Sequence, residues 1–161
     1  MPRFADDICV DARSPGRMVR RLAKLATHHV ETRLEARFQE LDLSYTQWIS
    51  LKVILDGVVT NAGELARELD ITTGATTRLV DTLEDHGLLH RDRCGNDRRV
   101  VKLRITDAGR AVTQALTPHV VGAWSDIFEP LDQAEADAFL VTLGKLFDKA
   151  NALVEAEELV A

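Results

Sequence analysis

Cysteine is nearly absent: the 161 residues hold only Cys9 and Cys94. Two thiols so far apart provide neither a disulfide framework nor a CxxC metal motif, and they suit a reducing, cytoplasmic compartment. Aromatic residues make up only 5% of the chain, so a core must be built from Leu, Val and Ala, as between packed helices. No apolar run approaches the ~20 residues that span a bilayer. The first sixteen residues carry Asp6, Asp7 and Asp11 and no apolar stretch, which is not the form of a secretion signal. The chain lacks HExxH, GxSxG and any glycine-rich loop placed after a strand. Its histidines, His28, His29, His86, His90 and His119, fall at no metal-ligand spacing. These absences speak against an enzyme, a cofactor and a resident metal.

Hydrophobic residues make up 45% and charged residues 29%, ordinary values for a globular domain long enough to bury its own core. The net charge of −6 counts at first against nucleic acid, but it is unevenly spread. From Ile71 to Arg104 seven basic residues face five acidic ones; from Asp107 to Ala161 three face ten. An acidic far end would orient such a molecule on a polyanion rather than forbid contact.

Residues 1–16 lack periodicity and read as an arm ending in the break Ser14-Pro15-Gly16. A long helix is predicted over 17–41, with Leu22, Leu25, Ala26, Val30, Leu34, Phe38 and Leu41 on one stripe. Ser44 or Thr46 can cap a short helix through Leu55. Two further helices follow, Ala62–Leu69 and Thr73–His86, joined by a tight turn and ended by Gly87. Leu88–Arg93 and Arg99–Ile105 then alternate as the strands of a hairpin whose tip is 94–98. Thr106 can cap the next helix, which Pro118 should kink or split, and Asp132 can cap a last one with Phe139, Leu143, Leu146, Phe147, Ala150 and Val154 on its stripe. The fold class is mostly α with a small β wing. A winged helix-turn-helix lobe over 44–105 is flanked by dimerising helices, 17–41 and 107–161, in a single domain 17–161.

On Thr73–His86 a helical wheel puts Ala75, Leu79, Val80 and Leu83 on the inner arc. Gly74, Thr77, Arg78, Asp81 and Asp85 lie outside, with Thr and Arg near the end that meets base edges. Asp81 and Asp85 would repel a phosphate backbone unless they pair with Arg78. Arg91, Arg93, Arg98 and Arg99 surround the hairpin turn at Gly95-Asn96, a form that fits a minor groove.

These segments resemble the MarR family of bacterial transcriptional regulators. The resemblance is carried by Leu43-Ser44-Tyr45-Thr46-Gln47-Trp48, Glu64-Leu65-Ala66, Thr77–Glu84 with Gly87-Leu88-Leu89, Asp97-Arg98-Arg99 and Leu103–Gly109. It implies a homodimer held by the first and last helices, reading two major grooves of a pseudo-palindromic operator on double-stranded DNA, more often as a repressor than an activator. By matching position, Thr73, Gly74, Thr76, Thr77 and Arg78 are its recognition-helix contacts; Arg91, Arg93, Asn96, Arg98 and Arg99 belong to the wing, with Asp97 supporting it. Family members commonly release DNA on binding a small phenolic or other aromatic effector, which here places Arg17, His28, His29 and Trp48 around a candidate pocket. Some sense oxidants through a cysteine, which makes Cys9 the redox candidate, although the chain's one tyrosine is Tyr45. The rival readings are a thiol- or metal-sensing regulator of the same fold and a helical protein–protein module without DNA binding.

Overall fold

The computed structural model describes residues 14–92 and 101–158. Helix α1 spans Pro15–Glu40, α2 Tyr45–Leu55, α3 Ala62–Glu68 and α4 Thr73–Asp85; strands β1 (Leu89–Asp92) and β2 (Lys102–Ile105) precede α5 (Asp107–Phe128) and α6 (Gln133–Glu158). The predicted mostly helical class with a two-stranded antiparallel wing is observed. Two compact units divide the chain, one through Ala123 and one from Trp124 onward. Among the described residues no helix is long and apolar enough to cross a membrane.

The helix starts follow from side-chain caps. Ser44, not Thr46, caps α2 and forms a reciprocal capping box with Gln47. Asn61 accepts the Glu64 N–H at 3.0 Å to start α3, and Thr72 accepts the Ala75 N–H at 3.3 Å to start α4. Asp132 and Glu135 cap α6 reciprocally, each accepting the other's backbone N–H. Helix α1 begins earlier than the sequence suggests. Ser14 stands at its N-cap and Pro15 at its first turn, where a missing N–H costs nothing, so Ser14-Pro15-Gly16 starts a helix instead of breaking one.

Pro118 does not split α5, which runs unbroken from Asp107 to Phe128. A proline there deprives the Gln114 carbonyl of its partner four residues on, and Gln114 is exposed, so water can satisfy it.

The core of the first unit draws on every helix in it and on both strands. Val30, Leu34 and Phe38 of α1 meet Trp48, Leu51 and Ile54 of α2, Leu65 of α3, Val80 and Leu83 of α4, Leu89 and Leu103 of the wing, and Leu116 and Val120 of α5. Leu22, Leu25 and Leu41 of the predicted α1 stripe stay exposed, together with Met18 and Val19. In the second unit Phe128 packs edge-on against Phe139 at 5.7 Å, while Leu143, Leu146, Phe147 and Val154 of α6 are exposed.

Candidate nucleic-acid interface

Helices α3 and α4 form a helix-turn-helix, with Asp70 in the left-handed region (φ 51°) closing the turn between them. Helix α4 buries Thr76, Val80 and Leu83, positions spaced four and three apart, so these set its inner stripe. Thr73, Gly74, Thr77 and Arg78 are exposed beside its N-terminal end, and Ala75 joins them outside. Thr76, expected among the DNA contacts, lies instead on that inner stripe. It is 1% exposed and its hydroxyl donates to the Thr72 carbonyl at 3.1 Å. Thr77 also donates inward, to the Thr73 carbonyl at 2.9 Å, but its side chain remains outside and can accept. Thr72, absent from the predicted contacts, is exposed at the same end, and its cap pattern in the sequence could have marked it.

Helix α4 ends at Asp85 with His86 as its C-cap; Gly87 follows with a φ of 69° that admits the reversal, and the Leu88 N–H returns to the Leu83 carbonyl at 2.9 Å. The chain then enters β1, paired antiparallel with β2 from Leu89↔Ile105 to Asp92↔Lys102. On β2 the predicted alternation holds: Leu103 is buried, Lys102 and Arg104 exposed. Thr106 caps α5 and also donates to the Gly87 carbonyl at 2.7 Å, tying the wing's base to the end of α4.

Arg91 does not stand free on the wing. Its guanidinium reaches Glu84 and Asp81 of α4, each at 2.5 Å, and its N–H donates to Glu84 at 3.0 Å. Burial works against its charge, but the two carboxylates outweigh that and hold its pKa above the ordinary value. The Arg91 N–H, and then its guanidinium, hold the Glu84 carboxyl below its ordinary 4.5. This corrects two expectations: Arg91 is engaged within the lobe, and Asp81 pairs with it and not with Arg78. Among the described residues Arg78 has no carboxylate partner, so its fork is available. Arg104 lies 3.6 Å from Asp92 within the wing. Arg93, Asn96, Asp97, Arg98 and Arg99 lie outside the described residues, as do Cys9 and Cys94.

The four residues expected around an effector pocket, Arg17, His28, His29 and Trp48, do not line the cavity that the described residues form between α1 and α5. Trp48 is a core residue, stacked on Tyr45 at 5.9 Å with its indole N–H 3.4 Å from the Thr113 carbonyl. Arg17 and His28 are exposed on α1 and His29 half-buried. A cavity of about 230 Å³ lies elsewhere between α1 and α5, lined by Arg33, Leu34, Arg37, Pro118, His119 and Gly122. Sequence reading missed it because its lining is assembled from two helices some eighty residues apart. Among the described residues no cluster of His, Cys, Asp and Glu could hold a metal.

The MarR family model matches residues 43–101. The Bacillus subtilis (strain 168) HTH-type transcriptional regulator YwhA is 29% identical over 83 residues, 52% of this chain and 60% of that protein. The chain thus matches less than two thirds of that relative's length. Among solved structures, a MarR family transcriptional regulator from Silicibacter pomeroyi aligns over 91% of this chain and 96% of its own, with TM-score 0.70 and 25% identity. The Mycobacterium tuberculosis MarR family protein RV2887, solved in complex with p-aminosalicylic acid, aligns over 82% and 97%, with TM-score 0.68 and 23% identity. The last of these bears on the fold alone.

Proposed function

Because the chain belongs to the MarR family of transcriptional regulators, we propose that it binds a pseudo-palindromic operator as a homodimer and represses transcription until a small effector releases it. The observation that carries DNA reading is the outer face of α4. Thr73, Gly74, Thr77 and Arg78 are exposed together at the end of a recognition helix, and among the described residues no carboxylate holds Arg78. An arginine so placed can bond two acceptors on a guanine edge.

The dimer reading is supported by apolar side chains without cover in a single chain: Met18, Val19, Leu22 and Leu25 on α1, and Leu140, Leu146 and Phe147 on α6. Apolar faces left exposed on helices in this way mark interfaces. Two lobes in one dimer would read half-sites about one helical turn apart. The effector reading draws on RV2887, whose structure holds p-aminosalicylic acid. In this chain the cavity between α1 and α5 offers Arg33, Arg37 and His119 to an acid of that class. Arg37 already shares its charge with exposed Glu40 at 3.5 Å, so such a ligand would compete with that pair. Cys9 remains the residue for a thiol-sensing variant of the same proposal.

Selection of bound sequences from a random DNA pool tests this reading. Enrichment of an inverted repeat supports it; recovery of no sequence preference would favour a helical interaction module.

A further inference from the structure

We propose that Arg91 is a positioning residue, locking the wing onto the recognition helix through Asp81 and Glu84, and that this lock rather than contact with DNA is its contribution to binding. The proposal rests on the DNA-binding reading for its consequence but not for its geometry.

Strand alternation puts Arg91 on the same face as Leu89, which is 1% exposed, so Arg91 is turned toward α4. Asp81 and Glu84 stand three apart on α4, hence on one side of the helix, and present their carboxylates to that strand. Both ends of the guanidinium are taken, and the Glu84 carboxylate accepts the Arg91 backbone N–H as well. A phosphate could use Arg91 only by breaking two charge-assisted bonds. The carboxylates themselves are the second argument. Asp81 and Glu84 lie on the helix that faces a polyanion, where a negative side chain weakens binding unless it does something else. Holding Arg91 is that function. With α4 and β1 joined by only His86-Gly87-Leu88, the three side chains fix the angle between helix and hairpin. The wing then meets DNA already oriented, and less ordering remains to be done on binding.

The sign of one substitution separates the lock from its rival. If Arg91 touches phosphate, Asp81→Ala removes a repulsive charge and frees the guanidinium, so DNA binding tightens. The lock requires the opposite: Asp81→Ala and Glu84→Ala each weaken binding about three- to tenfold, although each removes negative charge. Adding either to Arg91→Ala should cause no further loss, because the interaction is already gone. The number of counterions released, read from the salt slope, should stay the same in Arg91→Ala, whereas loss of a phosphate contact lowers that slope by about one. Hydrogen exchange of the full chain without DNA provides an independent arm. Leu89–Asp92 amides should exchange faster in Asp81→Ala and Arg91→Ala, while α6 amides are unchanged, which also shows that the variants fold. Tighter DNA binding by Asp81→Ala, or unaltered exchange in β1, overturns the lock. Failure of the wild type to bind any DNA would overturn the functional reading, and the exchange measurement would still decide on the lock.

Discussion

Arg78 is where base reading should be most costly to disturb. It is exposed near the start of α4, and no carboxylate among the described residues occupies its fork. Arg78→Ala should lose about 1–3 kcal/mol of binding to the preferred site and relax preference at one base pair, as read by fluorescence anisotropy on matched and mismatched duplexes. An equal loss on all sequences would make Arg78 a phosphate contact instead. Gly109 has a different kind of importance. A Cβ there would sit 2.1 Å from the Leu88 carbonyl oxygen, backbone that cannot move aside cheaply, and 2.8 Å from the Ile105 side chain. Gly109→Ala should destabilise the fold by roughly 1–3 kcal/mol in denaturant titration. Unchanged stability would show that α5 can shift away from the wing's base.

At the scale of elements, the link between α4 and β1 should depend on pH. Glu84 is held below its ordinary 4.5 by the Arg91 N–H and guanidinium, and Glu64 by the Thr60 backbone N–H and hydroxyl. A lowered folded pKa means the stabilisation is complete above about 4.5 and is lost as pH falls through the lower folded value. Denaturant midpoints should therefore be flat down to about pH 5 and fall below it, with a shallower fall in Glu84→Gln. An identical fall in that variant would remove Glu84 from the account.

Most elements were legible in the sequence because period, caps and glycine ends agree: Ser44, Thr106 and Asp132 all cap as side-chain chemistry dictates. The phase of α4 was not. A wheel sorted by polarity sends Ala75 in, and the family resemblance makes Thr76 a contact, but Thr76 donates its hydroxyl to the Thr72 carbonyl and is buried on one stripe with Val80 and Leu83. Trp48 misled for a related reason: its N–H finds the Thr113 carbonyl, which lies 65 residues away in sequence. Arg91 looked like one of a cluster of wing arginines, since nothing local reveals that its partners are on α4. The cavity at Arg33, Arg37 and His119 depends likewise on helix packing, which periodicity does not encode.

For the whole molecule, the proposed homodimer would cover apolar residues of α1 and α6 that a single chain leaves exposed. Leu22→Glu with Leu25→Glu should shift the protein from dimer to monomer in sedimentation, and weaken DNA binding far more than loss of one lobe's contacts would, because the second lobe no longer binds at high effective concentration. A variant that stays dimeric would move the interface off α1. The cavity provides a further check: p-aminosalicylic acid should raise the melting temperature of the wild type, and Arg33→Ala with Arg37→Ala should abolish that rise. A rise retained in the variant would place the effector elsewhere. The central claim is that a chain of net charge −6 grips DNA through a few placed groups on α4 and the wing. The most direct test titrates the wild type against the DNA upstream of its own reading frame over a series of salt concentrations. The expected result is a discrete complex whose log affinity falls linearly with log salt. No salt-dependent complex with that or any other genomic fragment would contradict it.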